Sequence, residues 1–202
     1  MDFESLKEHI SGLMNEERFL HSVGVMELSG ELAEIYGEDV EKAKFAGLIH
    51  DAAKQLPKDE QRRLLAEAYK DKEKDPIVFA NKALWHGPAG AVYVKEKFGA
   101  DEDVASAVFY HTVGKREMSL LEKIVFLADC IEVNRDSEFD WAPNTREIAK
   151  QDLDRAIVIA VDRSIKSIID RNLIIHPGSV ELRNGIIEQI AVKTAERRQN
   201  DR

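Results

Sequence analysis

The residues best suited to chemistry in this sequence are histidines and aspartates that lie far apart along the chain. Four of the six histidines and two aspartates form this set: His21, His50, Asp51, His86, His111 and Asp129. Imidazole nitrogens and carboxylate oxygens without thiolates favour iron, manganese, zinc or another borderline cation over a structural cysteine site. The sequence therefore predicts a metal site, provided that these side chains meet in the fold.

Helical phasing indicates that they do meet. Three histidines continue apolar stripes with steps of three or four residues. His21 is followed by Val25, Leu28 and Leu32. His50 is preceded by Ala43, Ala46 and Gly47, and His111 by Val104, Ala107 and Val108. A lone histidine in such a place is usually a core residue bonded to a backbone carbonyl. Several of them need partners, because each unpaired buried polar group costs about 1–3 kcal/mol. A metal ion is a partner that they can share.

The two aspartates set the charge of the predicted site. Asp51 directly follows His50, so its carboxylate can reach across to a second cation. Shared carboxylates of this kind hold two metal ions about 3.5–4 Å apart. Asp129 follows Leu121 and Val125 on one side of a predicted helix. The sequence thus predicts one or two bound cations.

Nearly every segment that carries these residues is predicted to be a helix, because capping residues bracket it. The predicted N-caps are Asn15, Asp39, Asp101 and Ser119, the last in a capping box. Gly37 and Gly99 are predicted to end helices, and Pro88 fits the first turn of the helix that starts at His86. The expected fold class is therefore all-α.

The C-terminal third is predicted to supply a scaffold. Leu153 to Ile168 has the cleanest apolar helix face and carries no catalytic residue types on it. Residues 172–185, which include His176-Pro177-Gly178, are predicted to form an irregular surface excursion before a last helix. Since no linker or repeat divides the chain, we expect a single domain over residues 1–202, with a core at about 15–135 and C-terminal helices and a loop at about 150–195.

Composition restricts the partners and the location. Lys and Arg total 29 against 38 Asp and Glu, and this net charge of −9 argues against duplex nucleic acid. No apolar run approaches the roughly 20 residues of a membrane span, and the charged start at Met1-Asp2 does not fit a signal peptide. The single Cys130 excludes an internal disulfide. We expect a cytoplasmic protein that binds neither nucleic acid nor membrane.

Five short stretches carry a resemblance to a known family. They are Arg18–Ser22, Ala46–Lys54, His86–Ala91, Tyr110–Lys115 and Leu127–Arg135. In them, His21, His50-Asp51 and Asp129 resemble the H…HD…D signature of the HD superfamily of metal-dependent phosphohydrolases. The closer resemblance is to its YqeK-type branch, the bacterial symmetrical diadenosine tetraphosphate hydrolases. Departures from that branch are Lys115 for the more usual arginine, and Cys130 and Val133 for lysine and proline.

The resemblance implies an HD-domain helical bundle with iron as the metal, or manganese, zinc or another divalent ion in its place. The implied ligands are His21, His50, Asp51 and Asp129. His86 and His111 would face either a second metal ion or the substrate phosphates, and both roles stay open. His50, Asp51 and Lys54 would be catalytic, because a metal-bound water with a pKa of about 7 supplies hydroxide that attacks phosphorus.

Basic side chains near the signature are candidates for phosphate contacts. Lys54 lies one helical turn beyond His50-Asp51, and Arg18 lies one turn before His21. Lys115 and Arg135 complete this set, and for each of them a solvated surface charge is the alternative. In the family that the chain resembles, the C-terminal segment also contributes to nucleotide binding. It contains five further candidates: Asn172, His176, Gly178, Arg183 and Asn184.

Three hypotheses for the function follow. The first is symmetrical hydrolysis of diadenosine tetraphosphate into two ADP by a homodimer, with an ADP-like or GDP-like product bound at the metal. The second keeps the site and changes the substrate to a nucleoside mono-, di- or triphosphate or a cyclic dinucleotide. The third is a nucleotide-sensing module without turnover, against which the complete ligand set argues.

Overall fold

The structure, a computed structural model, describes residues 3–200, apart from the side chains of residues 193, 194 and 197–200. Within those residues every regular element is a helix, which confirms the all-α prediction. The helices are α1 (Phe3–Ser11), α2 (Glu16–Tyr36), α3 (Val40–Ile49), α4 (Lys58–Ala68), α5 (Pro76–Ala80), α6 (His86–Phe98), α7 (Glu102–Tyr110), α8 (Leu120–Ile131), α9 (Ala142–Ala149), α10 (Leu153–Asp170) and α11 (Pro177–Asn200), with short 3-10 turns at Lys82–Leu84 and Val133–Arg135. Residues 1, 2, 201 and 202 of the predicted domain lie outside the described residues.

Side-chain caps begin the helices that lead to the site. Each of four predicted N-caps accepts a backbone N–H of its first turn: Asn15, Asp39, Asp101 and Ser119. Ser119 also forms the predicted capping box with Glu122. Gly37 and Gly99 end α2 and α6 in the left-handed conformation, with φ of 77° and 65°. These predictions are confirmed, so local signals fix where α2, α3, α7 and α8 begin.

The core forms where α2 packs against α3 and α8, and where α7 packs against α3, α6 and α8. At the crossing of α2 and α3, a Cβ added to Gly47 would lie 2.9 Å from the Val25 carbonyl oxygen and 2.9 Å from Ser29 Oγ. A larger residue would force the two helices apart, because close-packed backbone cannot yield as a flexible side chain can. Gly47 thus lets α2 bring His21 close to His50, at the end of α3.

The predicted scaffold helix is confirmed as α10, which packs against α8, α9 and α11. Its buried face is made only of apolar side chains: Leu153, Ala156, Ile157, Ala160 and Val161. Burial of apolar surface contributes about 25 cal/mol per Å² to the free energy of unfolding. Helix α10 therefore supports α8, the helix that carries Asp129, without supplying a ligand. No helix in residues 3–200 combines the length and the apolar character needed to span a membrane.

The prediction of an irregular excursion over residues 172–185 is wrong from residue 177 onward. Helix α11 begins at Pro177, which fits a first helical turn because its φ is already helical and it has no N–H to lose there. Leu182 and Ile186 are fully buried, so packing against the core stabilises this helix. Three predicted nucleotide contacts consequently lie on a helix rather than in a loop: Gly178, Arg183 and Asn184.

Candidate active site

Five helices bring the predicted ligands together. His21 lies within α2 and Asp129 within α8, while His86 is the first residue of α6. His50 and His111 directly follow α3 and α7. The four imidazoles form a row, with ring centroids 5.2 Å apart for His21–His50, 5.1 Å for His50–His111 and 5.0 Å for His86–His111. We call these four histidines, with Asp51 and Asp129, the ligand cluster.

The first half of the ligand cluster contains His21, His50 and Asp129. His21 Nε2 lies 3.0 Å and His50 Nε2 lies 3.7 Å from Asp129 Oδ1. One ligand atom from each of the three residues lies within 4.8 Å of the others. Two imidazole nitrogens and a carboxylate oxygen at such separations can hold one metal ion.

The second half is built around Asp51. Its Oδ2 lies 3.5 Å from His50 Nε2, whereas its Oδ1 lies 3.6 Å from His111 Nε2 and 3.4 Å from His86 Nε2. His50, Asp51 and His111 form a second group of three possible ligands, so His50 belongs to both groups. The Nε2 atoms of His86 and His111 are 3.1 Å apart, and two lone pairs at that distance repel unless a proton or cation separates them.

Three of the imidazoles are oriented by contacts on their far side. His21 Nδ1 lies 3.0 Å from Glu132 Oε1, His50 Nδ1 lies 2.7 Å from the Gly47 carbonyl oxygen, and His111 Nδ1 lies 2.6 Å from the Val108 carbonyl oxygen. An imidazole that donates through Nδ1 keeps a lone pair on Nε2. Such contacts fix the ring and the tautomer of a metal-binding histidine.

Three buried polar atoms of the ligand cluster lack a hydrogen-bond partner among the described residues: His21 Nε2, His50 Nε2 and Asp51 Oδ1. His21 Nε2 lies 3.0 Å from Asp129 Oδ1, but this contact lacks the alignment of a hydrogen bond. Orphaned atoms of this kind cost about 1–3 kcal/mol each unless something binds them. All three belong to the two ligand groups, so the residues present fit a metal ion.

The electrostatics of the ligand cluster suit metal binding. Burial lowers the pKa of His50 and holds that of His86 well below its ordinary value, so both rings are neutral near pH 7. Burial opposes ionisation of Asp51 and Asp129, but neighbouring groups, with Lys54 beside Asp51 and His21 beside Asp129 among them, outweigh it and hold both pKa values well below the usual range. Burial also disfavours charge on His21, yet its carboxylate neighbours raise its pKa. His50, His86 and the two carboxylates thus favour the forms that bind cations, which are neutral imidazole and ionised carboxylate.

Three cations cover the carboxylates of the ligand cluster. Arg18 Nη1 lies 2.8 Å and Lys54 Nζ lies 3.3 Å from Asp51 Oδ2, and Arg135 Nη2 lies 3.1 Å from Asp129 Oδ1. The Arg18, Lys54 and Arg135 side chains are 26%, 34% and 21% exposed, whereas that of Asp51 is 1% exposed. A negatively charged group arriving from solvent can therefore reach the cations while Asp51 stays buried.

Three other predicted nucleotide contacts, Lys115, Gly178 and Arg183, pair with residues outside the ligand cluster. Lys115 Nζ lies 2.7 Å from Glu122 and over the Tyr110 ring, and Arg183 pairs with Asp162. Gly178 faces Gly114, since a Cβ added to Gly178 would lie 2.8 Å from the Gly114 carbonyl oxygen. Its structural role is therefore close helix packing.

The family follows from comparison of the sequence with known proteins. The HD-domain family model matches residues 18–134, a range that contains the whole ligand cluster. The chain belongs to the HD-domain family. The predicted resemblance to the HD superfamily is thereby confirmed, and relatives named symmetrical bis(5'-nucleosyl)-tetraphosphatases confirm its YqeK-type branch.

Relatives of this HD protein cover most of its length. A symmetrical bis(5'-nucleosyl)-tetraphosphatase from Halalkalibacterium halodurans is 41% identical over 175 residues, which cover 86% of this chain and 91% of that protein. A protein of the same name from Bacillus subtilis is 36% identical over 177 residues, with coverage of 86% and 91%. A crystal structure from Clostridium acetobutylicum, described as a predicted HD superfamily hydrolase involved in NAD metabolism, is similar with a TM-score of 0.85 and 37% identity, covering 94% of this chain and 98% of that one.

A cavity of about 420 Å³ adjoins the turn that carries His111 in this HD protein. Tyr110 and Thr112, which flank His111, line it, and so does Pro88, two residues after His86. The remaining walls include aromatic and basic side chains: Tyr69, Lys72, Lys74, Phe109 and His176. Ligand pockets are typically about 300–1,000 Å³ and mostly apolar with a few polar groups. We call this space the aromatic cavity.

Sequence reasoning missed two parts of the HD site. One is Glu132, a fully buried carboxylate in contact with His21. Its spacing of three residues after Asp129 was the available signal, because residues three apart lie on one helix face. The other is the aromatic cavity, whose Lys72 comes from a segment without any predicted role and whose Phe109 was given no role beside the predicted ligand His111. Of the five C-terminal candidates, His176 alone is among the residues that line that cavity.

Proposed function

We propose that this protein is a metal-dependent hydrolase that cleaves diadenosine tetraphosphate symmetrically into two ADP. The observation that carries the chemistry is the ligand cluster, in which side chains from five helices converge and three buried atoms lack a hydrogen-bond partner: His21 Nε2, His50 Nε2 and Asp51 Oδ1. The choice of substrate is supported by relatives named symmetrical bis(5'-nucleosyl)-tetraphosphatases, of which the chain covers 91%. The complete ligand set favours an enzyme over a sensing module.

The proposed metal is iron, as one or two ions, with manganese, zinc or another divalent ion as alternatives. His21, His50 and Asp129 would hold one ion, and His50, Asp51 and His111 would hold or adjoin a second. A divalent cation supplies an activated water at neutral pH and neutralises charge on phosphoryl oxygens. His86 either completes the second site or contacts phosphate, since its Nε2 lies 3.4 Å from Asp51 and 3.3 Å from Lys54 Nζ.

The chain's own cations would bind the tetraphosphate. Arg18, Lys54 and Arg135 are partly exposed, whereas Asp51 is buried, so phosphate oxygens can take over the contacts that these cations now make with Asp51 and Asp129. Lys54 also contacts His86 Nε2 at 3.3 Å, which places it beside the second half of the ligand cluster. We infer that these side chains stabilise the charge that develops on the phosphoryl oxygens during cleavage.

The aromatic cavity is the proposed site for one nucleoside. Its size suits a nucleoside, and Phe109, Tyr110 and Tyr69 offer ring faces for a base. Lys72 and Lys74 place positive charge at its wall, where a phosphate chain between cavity and ligand cluster would pass. His176 is the C-terminal candidate that we retain as a nucleotide contact.

The remaining organisation is also proposed. One buried apolar cluster extends from Leu6 to Ile186, which supports a single domain. The exposed apolar side chains Ile169, Leu173 and Ile174 support a homodimer, which light scattering can test. We further propose a cytoplasmic location, whose reducing conditions suit the free thiol of Cys130. Burial raises the pKa of this thiol to about 12, so it stays protonated.

Product analysis tests the proposed function. The metal-loaded protein is incubated with diadenosine tetraphosphate in water enriched in heavy oxygen, and the nucleotides are separated by chromatography and weighed. We expect ADP as the sole nucleotide product, with label on one of the two ADP molecules. Equal amounts of AMP and ATP would refute symmetrical cleavage. Turnover of a mononucleotide but of no dinucleoside polyphosphate would favour the second hypothesis.

A further inference from the structure

Glu132 is a buried carboxylate without a role in the proposed reaction. It follows the last residue of α8 and is 0% exposed. Its Oε2 accepts hydrogen bonds from Asn134 N at 2.7 Å and from Asn134 Nδ2 at 2.8 Å, while its Oε1 lies 3.0 Å from His21 Nδ1. One oxygen therefore caps the turn that follows α8, and the other is directed at a histidine of the ligand cluster.

Helix α2 leaves room for this carboxylate. A Cβ added to Gly24 would lie 2.1 Å from Glu132 Oε2 and 3.0 Å from Asn134 Nδ2. Real Cβ atoms do not approach other atoms so closely, and Glu132 has no free space in which to move because it is fully buried. Gly24 is three residues after His21, so the gap and the histidine lie on neighbouring positions of one helix face.

We propose that Glu132 is a positioning residue for metal binding, which holds His21 with its proton on Nδ1 and its Nε2 towards Asp129 and His50, and that Gly24 makes room for it. The inference rests on the metal site of the proposed function. A turn cap alone would need only the oxygen that accepts from Asn134. A carboxylate behind a metal-binding histidine fixes its tautomer, and its loss weakens metal binding by about 10- to 100-fold.

Zinc affinity of the metal-free protein tests the role of Glu132. We expect Glu132→Gln to weaken zinc binding by about 10- to 100-fold in competition with a coloured chelator. The carboxylate accepts with two oxygens, one towards Asn134 and one towards His21, whereas an amide has only one acceptor oxygen. The matched control is Glu122→Gln, which alters a buried carboxylate in the first turn of α8, where it contacts Lys115, Ser106 and Ser119. We expect the control to bind zinc with the wild-type dissociation constant.

Gly24 provides an independent test. Gly24→Ala should weaken zinc binding, whereas Gly30→Ala should not, because a Cβ at Gly30 meets only the flexible Lys44 side chain. Both changes raise the helix propensity of α2 equally, so propensity cannot explain a difference between them. If Gly24 acts through Glu132, adding Gly24→Ala to Glu132→Ala should weaken zinc binding no further, since the carboxylate that would collide with the new methyl group is gone.

Long-range proton–nitrogen NMR of the zinc-loaded protein supplies a readout that general loss of stability would not change. In the wild type, we expect the imidazole proton of His21 to be on Nδ1 and to be protected from exchange with solvent. In Glu132→Gln, we expect this proton to exchange with solvent. Wild-type zinc affinity in Glu132→Gln, or equal weakening by Glu122→Gln, would overturn the inference and leave the proposed function intact. A wild-type protein that binds no zinc, manganese or iron would instead refute the metal site itself.

Discussion

The ligand cluster and the aromatic cavity are neighbours with opposite construction. In the cluster, buried side chains from five helices are held from behind, as His50 is by the Gly47 carbonyl. In the cavity, Lys72 and Lys74 come from an exposed segment, where they lie over aromatic rings at 5.0 and 5.6 Å. The cluster is thus rigid before anything binds, whereas part of the cavity wall is adjustable. We expect the cluster to determine the reaction and the cavity to determine the substrate.

Loss of Asp51 should separate the two regions most clearly. Asp51→Ala is expected to lower turnover by about 10³-fold or more while the helical circular dichroism spectrum is retained, because one carboxylate contacts both ligand groups. His111→Ala should be milder if His111 contacts only phosphate. Equal and complete metal loss in both variants would place His111 among the metal ligands.

Removal of the metal should affect stability as well as activity. At about 1,000 times its dissociation constant a bound ion adds about 4 kcal/mol, so chelation should lower the Tm by roughly 10 °C. Differential scanning fluorimetry with and without a chelator measures the shift. A Lys72→Ala variant should show the same shift, since Lys72 lines the cavity and not the cluster. A chelator that leaves the wild-type Tm unchanged would contradict the proposed metal site.

Changes in the cavity should alter substrate binding alone. Lys72→Ala is expected to raise the KM for diadenosine tetraphosphate by about 5-fold, the effect of one partly screened charge contact of about 1 kcal/mol, without a change in kcat. Lys70→Ala is the matched control, because Lys70 is also exposed but pairs with Glu67. A fall in kcat for Lys72→Ala would show that cavity and cluster do not act separately.

The smallest expected effect concerns the ion pair between Asp75 and His176, whose Oδ2 and Nε2 are 2.7 Å apart in the cavity wall. Burial opposes ionisation of Asp75, but the backbone N–H of Val78 and the side chain of His176 outweigh it and lower its pKa. A lowered folded pKa contributes stability above the unfolded value of about 3.9, and this stability is lost as the pH falls through the folded value.

His176→Ala should therefore cost less than about 1 kcal/mol of unfolding free energy at pH 7, since the pair is partly exposed. The difference from wild type should shrink as the pH falls below the unfolded Asp75 value of about 3.9, as urea titrations at each pH in this acidic range would measure. A difference that grows with acidity would contradict this assignment.

The helices that present the site could be predicted because local chemistry determines them. Asn15, Asp39, Asp101 and Ser119 cap their own first turns, and a step of three or four residues is enough to place His21 or His50 on a buried face. The family signature could be recognised because it also lies in short stretches of sequence. The predicted cations Arg18, Lys54 and Arg135 lie beside the cluster carboxylates because each is within a few residues of a ligand.

What could not be predicted depends on contacts between distant parts of the chain. Pro177-Gly178 has the composition of a turn, yet α11 begins there because its apolar face packs on the core and Gly178 fits against the Gly114 carbonyl. The contact of Glu132 with His21 joins residues 111 positions apart and requires a glycine at position 24. No local pattern encodes such a pairing.

The three cations that cover the ligand cluster have a consequence for how the protein is assembled in the cell. Arg18 and Lys54 neutralise Asp51, and Arg135 neutralises Asp129, so the chain carries its own counterions for the charges that it buries. A newly made chain can thus reach its native shape before any ion arrives, unlike small zinc domains that fold only around their metal. Metal binding would then be a separate, later event, which takes place after the chain has folded.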